Sequence, residues 1–235
     1  MRLLRRLVDG TTLIMGKLKR RQRKKIPAGY ASTVKINLGC GLAVAEGWIN
    51  IDGSLNALIA NLPGTIHRLA YRLTGANRYY SEQEYCRLLG NHFFIHHDLA
   101  YGIPLADGST DFVYSSHFLE HLFRKDAENL IRESYRVLKP GGVVRIAVPD
   151  LEYALSLYSA GKKEEMLTQY FFVDDDESHY ARHKFMYDFA MLKEILEKLG
   201  FCEIRRCGFQ EGSTPNLDVL DNRVEDSLFV EARRK

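Results

Sequence analysis

Two glycines and an aspartate stand close together near the start of the chain. Gly39 and Gly41 flank Cys40, and Asp52 follows Gly41 by eleven residues. Glycine allows backbone amides to approach a ligand closely, and a carboxylate accepts two hydrogen bonds from a vicinal diol. The pattern predicts one polar or anionic group on the glycine loop and a pair of hydroxyls on Asp52.

The spacing argues against a dinucleotide site. The dinucleotide fingerprint G-x-G-x-x-G needs a third glycine where this sequence has Val44, and its acidic residue comes about 20 positions later. No lysine is placed as in nucleotide-triphosphate loops. Asp98 follows the next strand-like segment, where it can accept a hydrogen bond from an adenine amino group. A carboxylate, a ribose and an adenine without phosphates describe S-adenosylmethionine.

Histidines form the second group with chemical potential. Six of the eight lie near predicted strand ends or in a long loop there: His96, His97, His117, His121, His179 and His183. Three interpretations remain open: a metal site, a catalytic base, or packing and pocket-wall residues. The segment HFLEH is not the zinc motif H-E-x-x-H and no cysteine is near, so we predict no metal. We predict His117 and His183 as catalytic residues and His121 as a packed one.

A sheet edge is needed to bring these residues together. Apolar segments rich in β-branched and aromatic residues predict strands at residues 34–38, 48–51, 93–95, 112–114 and 143–148. Residues 126–138 have apolar positions at helical spacing and end at Lys-Pro-Gly-Gly. Such alternation indicates a parallel sheet with helices on both faces, which binds ligands at the carboxyl ends of its strands.

The last fifty residues follow another pattern. A helix over residues 189–199 ends at Gly200, and two consecutive strands follow at 201–209 and 226–232. Two strands without a helix between them predict an antiparallel pair at the edge of the sheet.

Two connections exceed ordinary loop length. Residues 54–92 form an insertion with an apolar helix candidate at 55–73, and residues 150–186 form a predicted lid or substrate loop. Long loops commonly carry function or cover a site. We expect the substrate to enter between these two segments and the loop STPNLDVLD.

The first 25 residues are strongly basic, with ten Lys or Arg and one acid, whereas the remaining 210 residues carry a net charge of −6. The apolar residues Leu3, Leu4, Leu7, Val8, Ile14, Met15 and Leu18 fall on one helical stripe. This leader is typical of a helix on an anionic membrane surface; a basic tail, a transit peptide and an RNA-binding arm are the alternatives. We divide the chain into a leader of residues 1–26 and one domain of residues 27–235.

Composition limits the function classes. The 235 residues are 46% hydrophobic, which suffices for a sizeable core, and the four cysteines form no CxxC pair. Scattered cysteines indicate reduced thiols in the cytoplasm, and the leader adds peripheral attachment to the inner membrane face. The acidic body argues against an extended nucleic-acid surface, so no nucleic-acid partner is expected.

Seven segments in order resemble the class I S-adenosylmethionine-dependent methyltransferases, particularly a bacterial branch with a G-W-x-N-x-D signature. They are INLGCG, GWINID, DLAYGIPLADGSTDFVYSSHFLEHL, RVLKPGGVVRIAVPDL, HKFMYD, LGF and SLFVEA. The resemblance covers residues 34–53 and 93–235. It implies an α/β, Rossmann-like sheet of seven strands in the order 3-2-1-4-5-7-6, with strand 7 antiparallel and helices on both faces.

The resemblance also implies a role for each matching residue. The methionine end of the cofactor would meet Gly39, Cys40 and Gly41, the ribose Asp52, the adenine Asp98 and Leu99, and the sulfonium Ser115 and Ser116. The chain departs from the pattern at Ala43, where a third glycine is usual, and in its short first crossover.

The expected function is methyl transfer from S-adenosylmethionine, with O-methylation of a small molecule, a sugar, or a glycan or lipid precursor. One alternative is a non-catalytic binding or adaptor protein with the same fold. Another is aminopropyl transfer, for which residues 174–177 are the only candidate grip on a polyamine.

Overall fold

The computed structural model describes residues 10, 14–19, 22, 24–30, 32–74, 76–172, 182–224 and 226–235. Predictions for His179, for residues 174–177 and for the apolar residues 3–8 of the leader therefore lie outside the described residues.

Seven strands form one sheet in the order β3-β2-β1-β4-β5-β7-β6. The strands are β1 Lys35–Leu38, β2 Ile49–Asp52, β3 Phe93–His96, β4 Thr110–Ser116, β5 Leu138–Pro149, β6 Phe201–Cys207 and β7 Ser227–Arg234. β7 runs antiparallel to β5 and β6, and the pairs among β1 to β5 are parallel. The predicted strand order and the antiparallel edge pair are confirmed.

Helices connect the strands. They are α1 Leu55–Ile59, α2 Gly64–Thr74, α3 Glu82–Asn91, α4 Arg124–Val137, α5 Leu151–Ser159, α6 Lys163–Met166, α7 Phe189–Lys198 and α8 Leu217–Leu220. Short 3-10 turns lie at Ala28–Tyr30, Ala76–Arg78, Leu99–Tyr101 and Leu119–His121, and a π turn at Leu167–Phe171. In the described part of the chain, no helix has both the length and the apolar character needed to cross a membrane.

The main core lies between the sheet and its helices, because the central strands are buried on both faces. Ile36, Ile49 and Val113 are fully buried in it, and α4 contributes an apolar stripe that includes Leu130 and Ile131. The predicted helix at 126–138 is thus confirmed in place. Burial of each such side chain contributes about 1.5–3 kcal/mol relative to exposure.

The connection from β1 to β2, residues 39–48, contains no helix. Its residues Cys40 and Val44 pack instead in a second apolar cluster with Ile59, Tyr85 and Phe94. The insertion, residues 54–92, therefore builds the layer that packs against this short connection, a role that the sequence left unassigned.

The insertion differs from the single helix expected at residues 55–73. Pro63 separates α1 from α2, because proline cannot donate the hydrogen bond of a helix interior. The sequence also did not predict α3, whose first turn is capped by Ser81: its hydroxyl accepts from the Glu84 amide at 3.2 Å.

The loop between β6 and β7 packs onto a face of the sheet. Leu217 and Leu220 of α8 lie against Trp48 and Tyr114, and the Trp48 indole donates to Oδ1 of Asn216 at 3.0 Å. The segment STPNLDVLD was expected to border the substrate entrance. It covers the sheet instead, because its apolar residues have a core to fill.

Candidate active site

The carboxyl edge of the parallel strands gathers the residues predicted from sequence. Leu38 of β1 pairs with Ile51 of β2 and with Ser115 of β4, and Asp52 pairs with His96 of β3. Because parallel strands end at the same edge, the glycine loop, Asp52, Asp98 and the end of β4 lie along one side of the sheet.

Asp52 is held by the backbone around it. Its Oδ2 accepts from the Gly41 amide at 2.9 Å and its Oδ1 from the Ser54 amide at 2.6 Å. The residue is 8% exposed. Each oxygen has a second lone pair, so this carboxylate is fixed in orientation and can still accept hydrogen bonds from a ligand.

The glycine loop depends on glycine at two points. Gly39 and Gly41 have φ values of 64° and 53°, in the left-handed region that favours glycine. A Cβ on Gly39 would also overlap the ring of Phe118. The loop precedes no helix, so it presents amides of an irregular turn rather than those of a helix start.

Cys40 turns its side chain away from this edge. The thiol is buried in the second apolar cluster, where burial raises its pKa well above the ordinary value. Only the backbone of Cys40 is therefore placed to contact a ligand. Leu99 is likewise 3% exposed, and its side chain packs in the main core.

The described part of the leader lies at the β3 end of the site. Residues 14–19 are helical, and Gly16 approaches Asp98 so closely that a Cβ would crowd the Asp98 side chain. Lys19 Nζ lies 3.2 Å from Nδ1 of His96. The leader thus contacts Asp98, which is predicted to meet adenine, and the nearby His96. The side chains of Ile14 and Leu18 are 60% and 71% exposed.

His117 begins the turn after β4 with a left-handed backbone, φ 48°, which is unusual for a residue with a side chain. Its amide donates to Ala147 O at 2.9 Å, and its Nε2 lies 2.9 Å from Ser227 Oγ. Strained residues of this kind persist where surrounding contacts hold them and are frequent at functional sites.

Glu120 stands beside His117 and is 1% exposed. Its Oε1 lies 3.5 Å from His117 Nδ1 and 3.8 Å from His121 Nε2, and within the described residues neither carboxylate oxygen has a hydrogen-bond partner. Burial acts to raise the pKa of Glu120, but the two histidines outweigh it and hold the pKa below its ordinary value. Glu120 was not among the site residues predicted from sequence.

His183 joins this cluster from the far end of the 150–186 loop. Its ring centroid is 5.1 Å from that of His121, and its Nδ1 lies 2.8 Å from the carbonyl oxygen of Tyr170. Burial lowers the pKa of His183. His121 was expected to be packed. Its side chain is 22% exposed, and it lies in the same cluster as Glu120 and His183.

The arrangement combines two regions along one edge. The glycine loop, Asp52 and Asp98 offer amides and carboxylates to a polar ligand, and the cluster of Glu120 with three histidines offers groups that move protons or bind a cation. Ser115, 4% exposed and without a hydrogen-bond partner for its hydroxyl among the described residues, stands between them at the end of β4.

A separate open cleft of about 560 Å³ lies beside the start of β3, lined by residues that include Tyr30, His67 and Cys86. None of the predicted site residues lines it. We place the candidate site at the carboxyl edge because the polar groups converge there.

Known proteins resemble the chain in sequence and in fold. The methyltransferase domain family matches residues 59–146. The crystal structure of a SAM dependent methyltransferase from Archaeoglobus fulgidus is 19% identical, with 98% of each chain covered and a TM-score of 0.51. A structure described as a possible exported protein from Bordetella parapertussis is 16% identical and covers 96% of this chain and 67% of its own, with a TM-score of 0.50.

Comparison with curated proteins finds no match to this sequence. At identities below 20%, the structural similarity establishes the fold, a Rossmann-like sheet of the methyltransferase type. Together with the domain match, it supports a class I S-adenosylmethionine-dependent methyltransferase.

Proposed function

We propose that this protein is a methyltransferase that uses S-adenosylmethionine, of the bacterial branch with the G-W-x-N-x-D signature. The observation that carries the proposal is Asp52. Its carboxylate is oriented by the Gly41 and Ser54 amides, beside a glycine loop and at the edge where this fold binds ligands.

The residues at this edge fit the cofactor. The backbone of Gly39, Cys40 and Gly41 would meet its methionine end, Asp52 the ribose hydroxyls, Asp98 and Leu99 the adenine, and Ser115 and Ser116 the sulfonium portion. The free hydroxyl of Ser115 and the second lone pairs on Asp52 leave hydrogen-bonding capacity for it. When bound, the cofactor supplies an electrophilic methyl group.

We assign O-methylation to the histidine cluster after β4. A hydroxyl acceptor must lose its proton as it attacks, and a positioned imidazole can accept that proton. His117 and His183 are the catalytic candidates because of where they lie. His117 directly follows β4, and His183 faces the same turn from beside His121. Alignment of the acceptor supplies much of the remaining rate. The acceptor class that we propose, by resemblance, is a small molecule, a sugar, or a glycan or lipid precursor.

Calorimetry with S-adenosylhomocysteine tests cofactor binding. Asp52→Ala removes hydrogen bonds to a charged group, so we expect affinity to fall by about 1.5–3 kcal/mol, or roughly 10- to 150-fold. Asp107→Ala, a change of the same type at an exposed aspartate, is the control and should bind as the intact protein does. Lack of binding by the intact protein at millimolar ligand would reject the methyltransferase and favour an adaptor.

The acceptor can be sought directly. The intact protein and isotopically labelled S-adenosylmethionine are incubated with cell extract, and the labelled product is identified by mass spectrometry. We expect label in a hydroxyl-bearing small molecule or lipid-linked glycan. Label on protein or nucleic acid would contradict the proposed substrate class.

We also propose that residues 1–25 attach the protein to the inner face of an anionic membrane. The exposed side chains of Ile14 and Leu18 and the many basic residues support this. The double change Ile14→Ser and Leu18→Ser should reduce co-sedimentation with acidic liposomes. Val219→Ser with Val224→Ser, two exposed residues elsewhere, is the control. Equal sedimentation of all three proteins would show that the leader does not bind membranes through these residues.

A further inference from the structure

The buried carboxylate of Glu120 lacks what a buried carboxylate ordinarily has. Its side chain is 1% exposed, and neither oxygen has a hydrogen-bond partner in the part of the chain that the structure describes. The nearby nitrogens, at 3.5 Å and 3.8 Å, belong to His117 and His121. A buried carboxylate ordinarily accepts hydrogen bonds in addition to facing basic groups, so the hydrogen bonding of Glu120 is incomplete as it stands.

The hydrogen bonds of the neighbouring histidines fix where their hydrogens are. Nδ1 of His121 lies 3.2 Å from Arg182 O, and Nδ1 of His183 lies 2.8 Å from Tyr170 O. A carbonyl oxygen only accepts, so Nδ1 of each neutral ring carries the hydrogen and Nε2 presents a lone pair. Histidines that bind metals show this arrangement, with the other ring nitrogen donating to a backbone carbonyl.

The three side chains converge closely enough to share one ion. One ligand atom from each of Glu120, His121 and His183 lies within 4.8 Å of the other two. A metal bound at about 2.0–2.2 Å from nitrogen or oxygen needs its ligand atoms about 3–3.5 Å apart. Ion binding would therefore require side-chain rotations that bring the more distant ligand atoms closer together.

We propose that Glu120, His121 and His183 form a binding site for a divalent transition-metal ion. Two imidazole nitrogens and one carboxylate oxygen suit Zn²⁺, Fe²⁺ or Co²⁺ better than Mg²⁺ or Ca²⁺, which prefer all-oxygen sets. Three protein ligands leave positions open for water or substrate, as catalytic metal sites do. The sequence predicted no metal because HFLEH is not the motif H-E-x-x-H and no cysteine is near, and it could not show that His183 meets this segment in the fold.

The ion would act on the acceptor. At the end of β4 it would coordinate the acceptor hydroxyl and lower its pKa, so that the O–H proton passes to water. The alkoxide oxygen would then bond to the methyl carbon of S-adenosylmethionine as the S–CH3 bond breaks, and S-adenosylhomocysteine would leave. His183 would then contribute by holding the ion. This catalytic role rests on the proposed methyl transfer, whereas ion binding itself does not.

Metal titration of the full-length protein after treatment with a chelator tests the site. We expect one Zn²⁺ or Co²⁺ to bind per chain, with a visible Co²⁺ absorption spectrum and a rise in melting temperature. Glu120→Gln and His183→Ala should each weaken binding about 100-fold or more. His92→Ala, which removes the histidine directly after α3 and outside the cluster, should bind as the intact protein does.

Two results would overturn the inference: no stoichiometric binding by the intact protein, or equal affinity for the intact protein and Glu120→Gln. If His183→Ala does not fold, as judged by circular dichroism, His183→Gln replaces it with a side chain of similar reach. Calorimetry with S-adenosylhomocysteine on the same samples separates the two proposals. Cofactor binding without metal binding rejects only the metal site, and metal binding without cofactor binding rejects only the methyltransferase.

Discussion

Among the residues that the structure describes, two glutamates are almost completely buried, and they have opposite surroundings. Glu231, 2% exposed, accepts from the amides of Ser213 and Thr214, from the Thr214 hydroxyl and from the Arg205 guanidinium, at 2.7–3.0 Å. Glu120, 1% exposed, accepts no hydrogen bond among the described residues.

The satisfied glutamate belongs to the frame of the fold. Arg145, fully buried on β5, pairs with Asp221 at 2.5 Å and with Glu231 at 3.4 Å, so the network ties the loop after β6 to the sheet. The unsatisfied glutamate lies where strand ends and loops converge at the candidate site. Complete pairing is expected of a buried charge that serves stability, whereas incomplete pairing calls for an explanation such as a catalytic role or a bound ion.

The largest expected effect concerns the unsatisfied region. His117→Ala or His183→Ala should lower turnover by about 10²- to 10⁴-fold, with affinity for S-adenosylhomocysteine nearly unchanged. The loss is that of a general base or, for His183, of a ligand to the proposed ion. Both variants should fold normally. Steady-state kinetics with the identified acceptor measures the effect, and normal turnover in both variants would mean that positioning alone carries the reaction.

The next largest effect concerns the buried network of Arg145, Asp221 and Glu231. Arg145→Met leaves the buried Asp221 without its cationic partner and removes one of the two arginines beside Glu231, so the free energy of unfolding should fall by about 3–5 kcal/mol. Urea denaturation measures it. Arg124→Met, which breaks an exposed ion pair with Glu128, is the control and should cost less than about 1 kcal/mol. A small cost at Arg145 would refute the structural role of the network.

Lowering the pH should weaken the hydrogen-bonded network around Glu231. Burial alone would raise the pKa of Glu231, but hydrogen bonds from Arg205, Ser213 and Thr214 outweigh it and hold the pKa at about 2. The folded-state pKa lies below the unfolded one, so this stability is fully present above about pH 4.5 and is lost as the pH falls toward 2. The loss is on the order of 3 kcal/mol and can be followed by urea denaturation across this range. If the free energy of unfolding depended on pH in the same way in Glu231→Gln as in the intact protein, this prediction would be wrong.

The smallest expected effects come from making the same substitution at each of the two glutamates. Glu231→Gln places the NH2 group of a glutamine against several hydrogen-bond donors. The free energy of unfolding should therefore fall by about 1.5–3 kcal/mol. Glu120→Gln removes a buried charge that accepts no hydrogen bond but faces two histidines, so in metal-free protein it should cost less than Glu231→Gln does. Thermal melts of both variants give the answer. Equal destabilisation would show that the two glutamates are equally well paired.

Local pattern was enough to predict the sheet and the edge that carries the site. The buried strands have continuous apolar runs, and glycine, aspartate and serine follow them, so Gly39, Asp52 and Ser115 could be placed at one edge from sequence. The apolar spacing did not predict the helices of the insertion correctly. Pro63 divides the one expected helix into two, and α3 depends on packing.

By itself, then, the sequence determined the strand pattern, the candidate cofactor residues and the presence of histidines near strand ends, because these depend on local periodicity and on turns. Tertiary structure decided which of them meet. It brought His183 to Glu120, placed Gly16 against Asp98, and packed Leu217 on the face beside Trp48. Contacts of this kind join residues tens of positions or more apart, and their geometry depends on how whole layers pack, which no short window of sequence contains.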